Sequence, residues 1–320
     1  MENEPVLTVK DLRKYYPAKG GKVVKAVDGI CFTISRGMTM ALVGESGCGK
    51  STTGRMVLRL AGEKTGGQVL FNGQDLYALP PKALRQLRPK LQLIFQDPFS
   101  SLSPRMPVGT LIGEAVLEHK LVEKARLNAY VADIMERCGL QPFHKNRYPH
   151  EFSGGQRQRI CIARALALQP ELIVCDEPVS ALDVSVQAQI VNLLKQLQRE
   201  QGLSYLFISH DLSVVEHIAH TVGVMYLGSF VEYAPTDALY AHPLHPYTQA
   251  LFSAIPVPDP AHVPSAELPV GALPSPADPP SGCKFHPRCP HRMDLCATQI
   301  PQWREVAPGH FCACHLYPEQ

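Results

Sequence analysis

Residues 44–51 read GESGCGKS, and this stretch decides the fold. It fits the pattern G-x-x-x-x-G-K-[ST] and continues MALVG (40–44), an apolar run of strand length. Glycines at positions 44, 47 and 49 permit a tight loop whose backbone N–H groups can point at phosphate oxygens. Lys50 offers a positive charge to the terminal phosphates of a nucleotide, and Ser51 offers a hydroxyl to Mg²⁺. The stretch therefore predicts a phosphate-binding loop between a strand and a helix, which we call the phosphate loop.

A second motif, LIVCDE (172–177), ends an apolar run in two adjacent carboxylates. Successive residues of a strand point to opposite faces, so the two acids have different roles. Asp176 can hold the hydration shell of Mg²⁺, whereas Glu177 can orient or deprotonate the water that attacks the γ-phosphate. Together with the phosphate loop, this motif predicts an α/β nucleoside triphosphatase of the phosphate-loop class.

The apolar runs indicate how the sheet is built. They do not alternate with polar residues, which is typical of parallel strands covered by helices on both faces. The runs are MALVG (40–44), LQLIF (91–95), ELIVCD (171–176) and LSYLFIS (203–209). Residues 184–202 have apolar positions at helical spacing and end in a glycine, as a helix does. A strand, this helix and the next strand predict a crossover unit.

Composition excludes several classes of protein. The chain has 320 residues, 45% of them hydrophobic, and a formal net charge of +2. The hydrophobic content excludes intrinsic disorder, and the small net charge gives no overall positive electrostatic field that would hold nucleic acid. No stretch reaches the roughly 18 consecutive apolar residues of a membrane helix, and the acidic start MENEP lacks the order of a signal peptide. We therefore expect a cytosolic protein.

Three regions follow from the changes in composition along the chain. Residues 1–255 alternate between strand-like and helix-like segments, with a helical insertion at about 97–160. Residues 256–282 are dense in proline, which disfavours helices and central strands, and are predicted to be a linker. Residues 283–320 form a cysteine-rich region.

The cysteine-rich region has spacing suited to a metal site. Its candidate ligands are Cys283, Cys289, Cys296 and Cys314. Four thiolates can bind a structural zinc or an iron–sulfur cluster, and the absence of a C-x-x-C pair among them favours the cluster. Cys312 leaves the fourth ligand ambiguous, and a nearby histidine could replace a thiol in a zinc site. The histidines are His286, His291, His310 and His315. Free buried cysteines are the remaining alternative.

Residues 153–157, SGGQR within PHEFSGGQRQRICIARAL, resemble the signature motif of ABC transporter ATPases. Ser153 precedes a helix-compatible run, so its hydroxyl and the following N–H groups can form a second anion cradle. The resemblance implies that this cradle closes on ATP held by the phosphate loop of another subunit. Phe152 stands where many members have leucine, outside the residues expected to contact phosphate.

Further positions take their roles from the same resemblance. Gln96 matches the glutamine that senses Mg²⁺ and the attacking water, and Asp183 of SALD faces the other subunit. His210, at the end of LFISH, matches the histidine that reaches the γ-phosphate. Tyr16 matches the aromatic residue that stacks on adenine, and Tyr15 is its rival. The catalytic set implied is therefore Glu177, His210, Gln96 and Asp183.

The resemblance also defines the contacts of ATP and Mg²⁺. The implied nucleotide contacts are Tyr16, Gly44, Glu45, Ser46, Gly47, Cys48, Gly49, Lys50, Ser51, Thr52, Gln96, Ser153, Gly154, Gly155, Gln156 and Asp176. Among them, the implied Mg²⁺ ligands are Ser51, Gln96 and Asp176.

Six segments narrow the resemblance to the ATPase subunits of bacterial dipeptide and oligopeptide importers. They are GESGCGKST, IFQDPFSSLSPRM, YPHEFSGGQRQRI, HPLHPYTQAL, SGCKFHPRCP and GHFCACHL. This subgroup implies an ABC-type nucleotide-binding domain, with a mostly parallel sheet between helices, an antiparallel β subdomain, a helical subdomain and a cysteine-rich C-terminal extension. It also implies a 4Fe-4S cluster, with Cys314 as the fourth ligand.

The subgroup implies a function and a set of partners. An ATPase at the cytoplasmic face of the membrane would couple MgATP hydrolysis to peptide uptake. Its partners would be a second, homologous ATPase subunit in a heterodimer, two transmembrane permease subunits and an extracytoplasmic peptide-binding protein, with no nucleic acid. Nickel, glutathione or another small solute are alternative substrates. A soluble ABC-type ATPase acting on DNA or ribosomes is a rival from another class, and a redox-sensing cysteine region is a third hypothesis.

Overall fold

The structure is a computed structural model that describes residues 4–254 and 274–317. The predicted linker, 256–282, lies partly outside the described residues, because 256–273 are not among them. Its last part, 274–282, contains no helix or strand.

The described residues form twelve strands. They are β1 (Pro5–Pro17), β2 (Val23–Ser35), β3 (Thr39–Val43), β4 (Gly66–Phe71), β5 (Gln74–Asp75), β6 (Leu91–Ile94), β7 (Leu172–Asp176), β8 (Ser204–Ile208), β9 (Thr221–Tyr226), β10 (Ser229–Pro235), β11 (Arg304–Ala307) and β12 (His310–Cys312).

Eleven α-helices occur in the same described part of the chain. They are α1 (Lys50–Val57), α2 (Pro81–Leu87), α3 (Pro98–Ser101), α4 (Val108–Glu118), α5 (Leu127–Arg137), α6 (Gly154–Leu166), α7 (Val184–Gln201), α8 (Leu212–Ile218), α9 (Thr236–Ala241), α10 (Pro246–Ser253) and α11 (Asp294–Thr298).

These elements divide into two compact units, each formed from several stretches of chain. The first unit contains residues 4–7, 34–38 and 71–208. The second unit contains residues 8–33, 39–70, 209–254 and 274–317. The phosphate loop and the cysteine-rich region therefore share a unit.

In the first unit, β6, β7 and β8 pair in parallel, with β7 in the middle. Every residue of β7 and of β8 is buried, as expected for strands covered on both faces. The 18-residue helix α7 connects these two strands and ends at Gly202, which adopts a left-handed conformation (φ 66°) as its C-cap. The predicted crossover unit is confirmed.

The predicted helical insertion lies in this first unit. Residues 97–160 contain α3, α4, α5 and the beginning of α6, and they contain no strand. Leu111, Ile112 and Val116 of α4 are buried, as are Val131 and Ile134 of α5. Apolar faces at helical spacing therefore hold the insertion together.

In the second unit, β3 pairs in parallel with β9, and β9 pairs antiparallel with β10. The sheet continues into the cysteine-rich region, because β12 pairs antiparallel with β10 and then with β11. Glu232 of β10 lies opposite Cys312 of β12 in this register. The mixed parallel and antiparallel pairing agrees with the predicted α/β fold class.

None of the helices formed by residues 4–254 and 274–317 has the length and apolar character needed to span a bilayer.

Candidate nucleotide site

The phosphate loop lies between β3 and α1, in the predicted context of a strand followed by a helix. Gly44, Gly47 and Gly49 all have positive φ angles, of 145°, 79° and 112°. A side chain at Gly49 would collide with the carbonyl oxygen of Ala26. Glycine at this position is therefore required by both the backbone conformation and the close approach of β2.

The loop ends at the N-terminus of α1 without a side-chain cap. The N-cap residue is Gly49, which has no side chain to accept hydrogen bonds from the N–H groups of the first helical turn. Ser51 and Thr52 lie in that first turn. An uncapped helix N-terminus attracts anions, since its N–H groups and dipole both favour negative charge.

Lys50 is buried, with 5% of its surface exposed. Its ammonium donates to the carbonyl oxygens of Gly44 (2.7 Å) and Glu45 (3.1 Å). These neutral acceptors hold the charge against the loop, and a phosphate oxygen would be a stronger partner for it. The arrangement fits a lysine that binds the phosphates of a nucleotide.

Glu45 has partners that the sequence did not reveal. Its carboxylate accepts two hydrogen bonds from Arg288 of the cysteine-rich region, at 2.9 and 3.0 Å. Its backbone N–H donates to the hydroxyl of Tyr247 in α10, at 2.8 Å. Both partners lie in segments quoted above for the family resemblance, HPLHPYTQAL and SGCKFHPRCP, but no local pattern connects them to the phosphate loop.

The first unit brings together two of the predicted catalytic residues. Asp176, the last residue of β7, is buried, and Glu177 follows it. The amide nitrogen Nε2 of Gln96 donates to Oε2 of Glu177, at 3.0 Å. Glu177 has φ 48°, and its backbone N–H donates to the carbonyl of Ile208 (3.0 Å). A non-glycine residue held in this conformation is typical of a functional site.

The predicted second anion cradle is also in the first unit. Ser153 is the N-cap of α6: its hydroxyl accepts from the N–H of Gln156 (3.3 Å), and the Gln156 side chain accepts from the N–H of Ser153 (3.0 Å). A side chain at Gly155 would collide with Val186 of α7, so glycine permits these two helices to approach. Asp183 is the N-cap position of α7.

Two further predicted residues, His210 and Tyr16, lie in the second unit. His210 is exposed and precedes Asp211, whose carboxylate accepts from the N–H of Val214 and caps α8. Tyr16 is 37% exposed, with the ammonium of Lys14 4.9 Å from its ring centroid. Its rival Tyr15 donates its hydroxyl to Asp28 (2.5 Å), and burial raises the pKa of Tyr15 to about 12. The geometry therefore leaves Tyr16 the more accessible ring.

The candidate cysteine ligands all lie in the second unit. The N–H of Cys283 donates to the carbonyl of Cys296 (2.8 Å). The pKa of Cys314 is raised to about 11, chiefly by burial and also by the negative charge that Cys283, Cys289 and Cys296 can carry. Cys312 is fully buried in β12. Its pKa is raised, first by this burial and second by the negative charge of Glu232.

A compact single-ion site is not formed by these thiols. Within residues 4–254 and 274–317, no group of three or more His, Cys, Asp or Glu side chains is arranged to hold a metal ion. The zinc alternative, which needs four ligands at about 2.0–2.3 Å from one centre, does not fit this arrangement. The iron–sulfur prediction gains no support from a formed ligand group either.

Comparison with protein families gives two matches. Residues 27–180 match the ABC transporter family, and residues 231–296 match the oligopeptide/dipeptide transporter C-terminal region. The oligopeptide transport ATP-binding protein AppF of Bacillus subtilis is 53% identical, over 98% of this chain and 98% of its own. The putative oligopeptide transport ATP-binding protein YkfD of the same organism is 54% identical, over 99% of this chain and 97% of its own.

Solved structures show the same fold. The cbiO1 protein of Clostridium perfringens, part of the ABC transporter complex cbiONQ, matches with a TM-score of 0.67 and 26% identity, over 75% of this chain and 92% of its own. The ATP-binding cassette MJ0796, in a dimer bound to ADP and Pi, matches with a TM-score of 0.65 and 25% identity, over 72% of this chain and 98% of its own.

The phosphate loop, the Gln96–Glu177 pair and nearly full-length similarity to AppF agree: the chain belongs to the ATP-binding proteins of the ABC transporter family and is an ATPase of that family.

Proposed function

We propose that this chain is the ATP-hydrolysing subunit of an importer of dipeptides or oligopeptides. The observation that carries the proposal is 53% identity to an oligopeptide transport ATP-binding protein over 98% of both chains. The match of residues 231–296 to the oligopeptide/dipeptide transporter C-terminal region supports it independently of the ATPase motifs. By its similarity to the ATP-binding proteins of transporters, the chain would act peripherally at the cytoplasmic face of the bacterial membrane.

The proposed chemistry assigns roles to both units. In the second unit, Lys50 and the N–H groups of the phosphate loop bind the β- and γ-phosphates, and Tyr16 stacks on adenine. In the first unit, Glu177 accepts a proton from the attacking water, and Gln96 holds the carboxylate in place through its 3.0 Å hydrogen bond. Bound Mg²⁺ supplies positive charge to the phosphates, with Ser51, Gln96 and Asp176 as its proposed ligands.

A second ATPase subunit is proposed as the partner that completes each nucleotide site. The signature serine, Ser153, is exposed at the N-terminus of α6, and Asp183 is exposed at the N-terminus of α7. Val184, next to Asp183, is 81% exposed although it is apolar. The dimeric state of MJ0796 bound to ADP and Pi supports pairing of this kind. By its resemblance to importers the chain would pair with a homologous but different subunit.

Docking of the two permease subunits is proposed on the helical insertion. Phe99 and Phe143 of the insertion are 65% and 72% exposed, and Phe95, just before the insertion, is 43% exposed. Phe95 adjoins Gln96, and the guanidinium of Arg157 lies 3.9 Å from the ring centroid of Phe99. Large exposed apolar side chains indicate a protein contact surface, and two of these, Phe95 and Phe99, lie within three residues of Gln96 in the chain. Peptide would reach the permease from an extracytoplasmic binding protein.

Reconstitution tests the proposed function. The chain, its partner ATPase, both permease subunits and the binding protein are inserted into vesicles, and ATP turnover is measured with and without peptides. We expect peptides to stimulate turnover and to accumulate inside the vesicles. Stimulation by nickel or glutathione alone would assign another solute, and retention of the chain on nucleic acid without membrane subunits would contradict transport.

An iron–sulfur cluster in the cysteine-rich region is a separate proposal. Its support is the spacing of Cys283, Cys289, Cys296 and Cys314 along the chain, together with the resemblance of this region to that of peptide-importer ATPases. The thiolates that bind a 4Fe-4S cluster lie farther from one another than the ligands of a single metal ion, because each thiolate binds a different iron. Cys312 lies in β12 opposite Glu232, so Cys314 is the favoured fourth ligand.

Metal analysis of anaerobically purified protein checks the cluster. We expect roughly four iron and four sulfide per chain, as a cubane cluster requires. Cys314→Ser is expected to lose most of this iron, whereas the matched control Cys312→Ser retains it. Stoichiometric zinc, or loss of iron in the Cys312 variant alone, would contradict the proposed ligand set.

A further inference from the structure

Glu45 of the phosphate loop is held by two residues that follow the ATPase motifs in the chain. Arg288 donates to both oxygens of its carboxylate, at 2.9 and 3.0 Å, and the two side chains are 10% and 29% exposed. The hydroxyl of Tyr247 accepts from its backbone N–H, at 2.8 Å. A two-point guanidinium–carboxylate contact fixes the orientation of a side chain as well as its position.

Arg288 itself projects from a firmly held segment. Phe285, three residues earlier, is 1% exposed and packs against the rings of Tyr226 and Tyr247, with centroid distances of 5.4 and 5.3 Å. Lys284 donates to Asp28 and to the carbonyl of Leu227, at 3.1 and 2.9 Å. The segment that carries Arg288 is therefore anchored by apolar packing and by a half-buried charge, and neither contact involves the carboxylate of Glu45.

The position of Glu45 affects the lysine that is to bind phosphate. The ammonium of Lys50 donates to the carbonyl oxygen of Glu45, at 3.1 Å, and the N–H of Cys48 donates to the same oxygen, at 3.3 Å. Glu45 thus joins the C-terminal contacts to the interior of the loop: its carboxylate faces Arg288 and its carbonyl faces Lys50. A displacement of Glu45 would move the carbonyl that helps to place the ammonium.

We propose that Arg288 is a positioning residue of the nucleotide site, which acts through Glu45 to hold the phosphate loop in the conformation that accepts phosphate. The cysteine-rich region then contributes to nucleotide affinity, although Arg288 does not contact the nucleotide. A preformed loop loses less conformational entropy on binding, which is the physical source of the expected effect. This inference rests on the proposed binding of nucleotide by the phosphate loop.

A double-mutant cycle tests the proposal in the full chain. Arg288→Ala, Glu45→Ala and the double variant are compared with the unaltered protein for equilibrium binding of a fluorescent ATP analogue. We expect each single variant to bind the analogue about tenfold more weakly, which corresponds to about 1.4 kcal/mol. This lies below the usual contribution of a charged hydrogen bond because solvent screens the partly exposed pair. The double variant should bind no more weakly than either single one, because both remove the same contact.

Two matched variants sharpen the comparison. Arg288→Lys keeps the charge but loses the two-point geometry, so we expect it to restore affinity only in part. Asp278→Ala removes another ion pair between the C-terminal region and the rest of the unit, the exposed Lys22–Asp278 contact at 2.7 Å. This control is expected to bind nucleotide as the unaltered chain does, since exposed pairs contribute little.

The fluorescence of Trp303 distinguishes two roles for Arg288: positioning the phosphate loop, or only holding the C-terminal region in its folded conformation. Trp303 is the chain's single tryptophan, and its ring stacks on Phe230 at 6.1 Å and 27°. Weakened nucleotide binding with unchanged Trp303 fluorescence supports positioning. Should Arg288→Ala alter that fluorescence, the double-mutant cycle decides, because only a contact shared by Arg288 and Glu45 makes the two losses of affinity non-additive.

Unchanged affinity in Arg288→Ala, or additive losses in the double variant, would overturn the inference. A failure of the unaltered protein to bind the ATP analogue would instead refute the proposed nucleotide site. The two failures are therefore distinguishable.

Discussion

Replacement of Glu177 by glutamine is expected to lower ATP turnover by roughly 10²- to 10⁴-fold, the range for loss of a general base. Glutamine has nearly the same size and retains an oxygen that can accept the 3.0 Å hydrogen bond from Gln96. The backbone conformation, with φ 48°, should be kept because the substitution adds no branching at Cβ. ATP binding should therefore persist, and the dimer closed on ATP should accumulate.

Phosphate release and ATP affinity are measured on the chain together with its proposed partner ATPase, and the closed dimer is detected by size-exclusion chromatography. Glu171→Gln is the matched control. Glu171 pairs with Arg36 and Lys90, and its pKa is lowered to about 2, with hydrogen bonds from Arg36 and Asn72 outweighing burial. The control should keep full turnover. Undiminished hydrolysis in Glu177→Gln would show that another group acts as the base.

Replacement of Lys50 by alanine should weaken nucleotide binding itself, by roughly 10- to 150-fold, because charged hydrogen bonds contribute about 1.5–3 kcal/mol. The ammonium is buried and held by two loop carbonyls, at 2.7 and 3.1 Å. Its removal takes the positive charge from the loop and leaves those carbonyls without this donor.

Equilibrium binding of ATP and ADP checks this expectation, with Lys22→Ala as the control. Lys22 belongs to the same unit, but its side chain is 54% exposed and pairs with Asp278. The control should bind both nucleotides normally. Equal affinity in Lys50→Ala would contradict the assigned role of the phosphate loop.

The sequence predicted those features that depend on neighbouring residues. The phosphate loop and the Asp176–Glu177 strand end are each contained in fewer than ten consecutive residues, so their chemistry was predicted from spacing, whereas the role of the signature serine was implied by family resemblance. The long helix α7 has a clear apolar periodicity and a terminal glycine, and the structure places its ends within one residue of the prediction. The same holds for the uninterrupted apolar runs that became β3, β6, β7 and β8.

Contacts between distant segments could not be predicted in this way. Glu45 and Arg288 are 243 residues apart, and neither has a local pattern that indicates the other. The strand β12 contains three residues, too few to show alternation. The sequence therefore indicated a cysteine-rich region but not its pairing with β10. The assembly of Gln96 with Glu177 was implied by family resemblance, since 81 residues separate them.

The pairing of β12 with β10 means that the end of the chain protects the ATPase fold from self-association. β10 has β9 on one side and β12 on the other, so removal of the last segment would leave one row of its N–H and C=O groups uncovered. An uncovered strand of this kind is a template for pairing with other copies and for aggregation. Loss of β12 is therefore expected to leave β10 as an unprotected edge of the sheet.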